Sequence, residues 1–125
     1  MELKIPNNLY VKWTDEKGYG VFTNKFIKEG NIIETCYCIK VGDPISNNLR
    51  DYIFNYPKVD QNEHVLPLGF GCIYNHDENY NAMWFDNPTP YHFDFIAQKN
   101  IKGGEEICTY YGENYWPLKI ERDEK

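Results

Sequence analysis

Near its C-terminal end the chain gathers hydroxyl-bearing aromatics at a spacing that suits chemistry. The stretch Gly104-Glu-Glu-Ile-Cys-Thr-Tyr-Tyr-Gly-Glu-Asn-Tyr-Trp116 places Tyr110, Tyr111, Tyr115 and Trp116 within seven positions. A phenol donates and accepts hydrogen bonds while its ring walls a narrow apolar channel, so such a cluster can orient a nucleophile. It can equally fill a core, and the stretch alone does not separate the two. Upstream, Leu66-Pro-Leu-Gly-Phe-Gly-Cys-Ile-Tyr-Asn-His76 closes an apolar run on Asn75 and His76. An unpaired amide or imidazole there costs about 1–3 kcal/mol, so both residues are expected to have specific partners. A third candidate is Gly18-Tyr19-Gly20, just before Val21-Phe22. Its glycines permit positive φ and let another group approach the backbone closely.

The elements that must position these residues are mostly strands. Leu9 to Trp13 alternates and is rich in strand formers, and Ile32 to Val41 is β-branched and aromatic. A polar turn from Thr14 to Gly20 and another from Phe26 to Gly30 separate them. Between Pro44 and Pro57 the period changes: Leu49, Tyr52, Ile53 and Tyr56 follow helical spacing, with Ser46, Asn47 or Asn48 able to cap and Pro57 to stop it. Lys58 to Val65 is polar and irregular, and Gly69 to Tyr74 reads as a strand. Ala82 to Phe85 and Tyr91 to Ile96 read as paired strands around Asn87-Pro-Thr-Pro90, and Lys102-Gly-Gly104 is a tight turn. The expectation is a mostly β single domain with one short helix, core residues 9–116 and a charged tail 117–125.

Composition narrows the function classes. A chain of 125 residues hides roughly two thirds of its unfolded surface on folding, enough for one core and one cleft. Net charge is −6, which argues against nucleic acid, whose phosphates need clustered Lys and Arg, and suits a basic protein partner. The four cysteines lie in apolar, strand-like surroundings without C-x-x-C spacing, so thiols rather than a metal site are expected. The N-terminal residues lack a signal-peptide core and no apolar run reaches membrane-spanning length. These features suit a soluble intracellular protein.

Taken together, three motifs resemble the SET-domain protein lysine methyltransferases. Gly18-Tyr19-Gly20 with Val21-Phe22 resembles the family's opening glycine turn. Gly69-Phe-Gly-Cys-Ile-Tyr-Asn75-His76 resembles its asparagine–histidine motif, and Gly104-Glu-Glu-Ile with Tyr111-Gly112 its tyrosine motif. The order and spacing match over Tyr10 to Trp116, and Tyr111-Gly112 followed by Tyr115-Trp116 is most similar to the small stand-alone SET proteins of large DNA viruses. The resemblance implies short curved sheets, a C-terminal segment threaded through a preceding loop, S-adenosyl-L-methionine as methyl donor and a protein lysine as acceptor. It implies no metal, since the cysteine cluster that binds zinc in many members is absent. A histone tail is the leading substrate, with the host-cell nucleus as location in that case, and a homodimer is the expected assembly.

Residue roles follow the same resemblance. Tyr111 would orient the amine. The backbone of Gly18, Tyr19 and Gly20 would lie against the donor's methionine end, Asn75 and His76 against its adenosyl part, and Trp116 over the adenine or along the channel. Tyr52 and Tyr115 would face the lysine channel. Asp77 stands where a serine is usual, Tyr80 where a proline is common, and Thr109 where an aromatic often helps set the number of methyl groups added. Two other readings are a catalytically silent SET-like module that binds basic peptides and a non-enzymatic β-protein.

Overall fold

The computed structural model describes residues 2–42 and 44–111. Tyr115, Trp116 and the threaded C-terminal segment lie outside the described residues. Leu9–Thr14 (β1) and Gly18–Thr23 (β2) form an antiparallel hairpin in the register Trp13↔Tyr19 and Thr14↔Gly18. Its turn is fixed by Thr14, whose hydroxyl accepts from the Lys17 N–H at 3.1 Å and donates to the Gly18 carbonyl at 2.8 Å. Gly18 has φ +76°, a conformation that disfavours any side chain. Gly18-Tyr19-Gly20 thus opens a strand rather than forming the turn itself.

Ile32–Lys40 (β3) turns Cys36 and Cys38 inward and Tyr37 and Ile39 outward, the alternation a one-sided sheet requires. Glu34 shares the inward face with the cysteines by the same alternation, and a register shift between Ile32 and Glu34 lets its neighbour Ile33 be buried as well. Phe54–Tyr56 (β4) and Glu63–Pro67 (β5) follow, then Asn75–His76 (β6), Ala82–Asp86 (β7), His92–Ala97 (β8) and Glu106–Thr109 (β9). One sheet has the order β1-β2-β9-β6 and the other β4-β5-β3-β8-β7. Between them Val21, Val65, Tyr74, Phe93, Phe95, Ile101 and Ile107 form the core. Tyr74 packs on Phe95 with ring centroids 4.4 Å apart, and Phe54 on Phe93 at 5.2 Å.

Three expectations change on folding. The helix expected between Pro44 and Pro57 is one 3-10 turn, Arg50–Tyr52, followed by β4. A helix would have buried Leu49 and Tyr52 on one face with Tyr56, yet both are exposed. Instead Phe54 docks on Phe93, Phe95 and Trp84, and the Tyr56 hydroxyl accepts from the Tyr91 N–H at 2.8 Å. Packing of alternate residues has overridden a short local period. At the end of the segment expected to be irregular, Lys58 to Val65, the strand Glu63–Pro67 begins, because Phe54↔Val65 and Cys38↔Pro67 pairing gives its backbone partners on both sides. Conversely, Gly69 to Ile73 is a turn rather than a strand, entered through Gly69 at φ +79°.

Candidate active site

The two-residue strand β6 pairs in parallel with β9, Asn75 opposite Cys108 and His76 opposite Thr109. Parallel neighbours need a crossover, here supplied by the β7–β8 hairpin and the Lys102–Gly104 turn. Asn81 fastens this crossover. Its side chain donates to the Glu106 carbonyl at 2.9 Å and accepts from the Cys108 N–H at 2.9 Å, and its N–H donates to the Cys108 carbonyl at 3.1 Å. The end of β9, and so Tyr110 and Tyr111, is held against Asn75 and His76.

Tyr111 is tethered twice. Its N–H donates to Nδ1 of His76 at 2.9 Å and its hydroxyl to the Tyr74 carbonyl at 2.6 Å. Because Nδ1 accepts, the ring proton of His76 resides on Nε2. With the Tyr111 proton committed to Tyr74, the phenol oxygen offers lone pairs to any further partner, so it can accept from an amine and direct it. The His76 ring sits 5.1 Å from that of Tyr110 and 5.2 Å from that of Tyr111, and Tyr80 continues the group 5.6 Å from Tyr110. These rings offer flat apolar surface.

On the other side of β6 the side chain of Asn75 donates to the Tyr19 carbonyl at 3.1 Å and to the Glu106 carboxylate at 2.8 Å. The space beside Gly20 is where Glu106 and Asn75 meet, so the close approach that this glycine permits is made by the protein's own side chains. Lys17 reaches the same cluster, 3.3 Å from Asp77, 4.0 Å from Glu106 and 3.8 Å from the Cys108 sulfur. Burial works against its charge, but Cys108 and the two carboxylates outweigh it and raise its pKa. The backbone N–H of Asn79, and then Lys17, holds Asp77 below the usual aspartate value. Burial pushes the Cys108 thiol up to about 11, so it is a neutral filler rather than a nucleophile.

The structure therefore brings Gly18, Tyr19, Gly20, Asn75, His76 and Tyr111 into one neighbourhood. Tyr52 is tied to the segment leading into the site, its carbonyl accepting from the Cys72 thiol at 3.6 Å while nearly half its surface is exposed (47%). Sequence reasoning missed Lys17, Asn81, Tyr74 and Glu34. Only Glu34 left a signal, a carboxylate two residues from Cys36 and four from Cys38 at inward strand positions.

The SET-domain profile matches residues 18–112, spanning all three motifs and every strand from β2 to β9. The chain belongs to the SET-domain family. This SET domain is 26% identical over 121 residues to a Schizosaccharomyces pombe histone-lysine N-methyltransferase specific for H3 lysine-37, covering 90% of this chain and 78% of that protein. Its fold is similar to the crystal structure of a candidate histone methyltransferase of Plasmodium falciparum, with TM-score 0.76 and 31% identity over 90% of this chain and 99% of that one. Among the described residues, no helix of this SET domain is long and apolar enough to cross a membrane.

Proposed function

We propose that this SET domain transfers a methyl group from S-adenosyl-L-methionine to the side chain of a protein lysine. The observation that carries the reading is the double tether of Tyr111, whose hydroxyl is spent on Tyr74 while its backbone is fixed to His76. The names of both relatives support the reaction class.

The donor set fits the cofactor. Lys17 on one hand and Glu106 and Asp77 on the other would hold an amino-acid end of both charges, and the rings of His76, Tyr110 and Tyr80 would hold a flat purine. Bound there, S-adenosyl-L-methionine supplies a methyl group on a positively charged sulfur.

The substrate amine must be neutral to attack. At a reference pKa near 10.4, roughly one lysine in 2,500 is neutral at pH 7, a handicap of about 4.6 kcal/mol. A unit positive charge about 4 Å away at an effective dielectric near 20 recovers about 4 kcal/mol of it by repelling the ammonium. A carboxylate base beside the nitrogen would oppose that effect, whereas the phenol of Tyr111 accepts without adding charge. Its contribution is alignment, which supplies several kcal/mol when attack is in line.

The acidic residues Asp77, Glu78, Glu105 and Glu106, which flank the site motifs in the sequence, and the net charge of −6 favour a lysine in a basic, extended segment such as a histone tail, which would place the protein in the nucleus. A homodimer is proposed on the 42% hydrophobic composition together with the sequence resemblance, and kinship with the small viral SET proteins on that resemblance alone.

The test is transfer of a labelled methyl group to histones and to lysine peptides with basic or acidic flanks. Transfer to the basic peptides that fades as salt rises is expected, and Tyr111→Phe should lower kcat by two or more orders of magnitude with near-normal cofactor affinity. An unchanged kcat in Tyr111→Phe would remove the tyrosine from the mechanism.

A further inference from the structure

We propose that Glu34 is a positioning residue for the phenol of Tyr111, acting through Tyr74. Its effect on turnover rests on the methyltransferase reading, whereas the coupling between the three residues does not.

Glu34 is 5% exposed on the inward face of β3. Its Oε1 accepts from the Tyr74 hydroxyl at 2.7 Å, and its Oε2 accepts from the Phe70 N–H at 3.4 Å. Oε2 also lies 2.8 Å from where a Cβ on Gly69 would be, so the turn entering the Asn75–His76 segment is moulded around the carboxyl group. Tyr74 is 1% exposed, with its ring against Phe95. Its backbone carbonyl is the group that accepts the Tyr111 hydroxyl at 2.6 Å. One residue is thus gripped at both ends: at its phenol by the five-stranded sheet, and at its carbonyl by Tyr111, two residues beyond β9 of the other sheet.

A phenylalanine at 74 with an apolar residue at 34 would fill the same volume without the desolvation that a buried carboxyl group incurs. What the polar pair adds is direction. A hydrogen bond to an ionised carboxylate is shorter and stronger than a neutral one, and here it fixes the residue whose carbonyl aims the Tyr111 proton. Among the described residues the groups facing the Glu34 carboxyl are the Tyr74 hydroxyl, the Phe70 N–H and the Cys36 thiol. Burial raises the Glu34 pKa and these hydrogen bonds oppose the rise. Burial, and then Glu34, pushes Tyr74 well above the usual phenol value, and burial raises Cys36, so both remain neutral donors. Protonation of Glu34 turns a charge-assisted acceptor into a weaker neutral one opposite the Tyr74 hydroxyl and slackens the grip on Tyr111.

The experiment combines NMR with kinetics. In protein labelled at tyrosine 13Cζ, the Tyr111 resonance, assigned with Tyr111→Phe, should move with pH as Glu34 titrates and stay flat in Glu34→Gln. In methyl transfer, Glu34→Gln and Tyr74→Phe should each lower kcat about tenfold or more, as misalignment of an orienting group does. Their affinity for S-adenosylhomocysteine by calorimetry should be unchanged, and the low-pH loss of kcat specific to the wild type should disappear. A Tyr111 resonance that ignores Glu34 in the wild type, or wild-type kcat and pH profile in the variants, would overturn the inference. If Glu34→Gln does not fold, Tyr74→Phe, which keeps the ring, decides by the same criteria. If the wild type methylates no lysine, a moving resonance still supports the coupling while the proposed function falls.

Discussion

Gly20 and Glu106 contend for one space: a Cβ on Gly20 would run into Oε2 of the Glu106 carboxylate and lie 2.8 Å from the Asn75 amide nitrogen. The missing side chain of β2 is what allows the Asn75–Glu106 hydrogen bond and, with it, the Asn75–Tyr19 bond that ties the glycine motif to the asparagine–histidine motif. Neither motif is independent of the other.

Gly20→Ala should therefore destabilise the protein by about 1–3 kcal/mol, the range for forcing extra volume into a packed site, and weaken cofactor binding in parallel. Urea unfolding measures the first. Gly42→Ala is the control, since nothing lies within 4 Å of its Cβ position, and it should leave the midpoint within experimental error.

The strands around the site were legible because their apolar residues alternate. Leu9 to Trp13, Ile32 to Val41, the pair around Asn87–Pro90 and Ile107 to Thr109 are all found as strands. The three motifs were legible as single residues whose types need partners. What no local pattern carried was pairing at long range. The helical period of Leu49, Tyr52, Ile53 and Tyr56 lost to the docking of Phe54 on β8, a contact nearly forty residues away in the chain. Asn81 closes backbone groups of β9, and nothing in its neighbourhood Asn79-Tyr-Asn81 separates it from an ordinary polar loop. Lys17 belongs to a hairpin turn by sequence and to the Asp77–Glu106 cluster only by folding. The glycine motif was legible as a site of close approach, but the approaching group proved to be a carboxylate of the same chain.

Asn81→Ala should cost more than an average surface change. It leaves the Cys108 N–H and the Glu106 carbonyl without their side-chain partners, at about 1–3 kcal/mol for each buried group left unmade. Because those groups lie on β9, amide exchange should quicken first at Cys108 and its strand neighbours, with β3 and β8 keeping their protection. Hydrogen exchange followed by residue checks this. Uniform loss of protection would mean that β9 has no separate opening.

Stability should respond to pH in opposite directions at two carboxyl groups. Burial raises the folded pKa of Glu34, so the stability it confers is full below the ordinary glutamate value and is lost as pH rises through the raised one. Glu34→Gln should remove that decline, and its stability relative to the wild type should grow with pH across that window. The Asn79 N–H and Lys17 depress Asp77, so its contribution is present above the ordinary aspartate value and lost as pH falls through the depressed one. Asp77→Asn should flatten the acid side instead. Denaturant midpoints across pH for the three proteins test both signs, and a parallel shift of the two variants would contradict the assignment.

Thr109 offers a test of a different kind, because its hydroxyl is a cost the fold carries without visible return. The residue is 2% exposed at the end of β9, opposite His76. Among the described residues its Oγ1 is a buried side-chain polar atom with no hydrogen-bond partner. Valine has nearly the same shape and no hydroxyl. Replacing a desolvated, unsatisfied group by a methyl should stabilise the protein by about 1 kcal/mol, the lower end of the penalty for a buried polar group left unpaired. For a domain of this size that corresponds to a rise of roughly 3–6 °C in Tm. Thr109→Ala removes the same hydroxyl but also a methyl group, so the lost packing should offset the gain or reverse it. Calorimetric Tm values in the order valine above threonine, and threonine at or above alanine, are the expected result. A valine variant that melts below the wild type would show that the hydroxyl has a partner in solution, a bound water at the foot of the Tyr111 site being the simplest, and would turn Thr109 from a packing residue into part of that site.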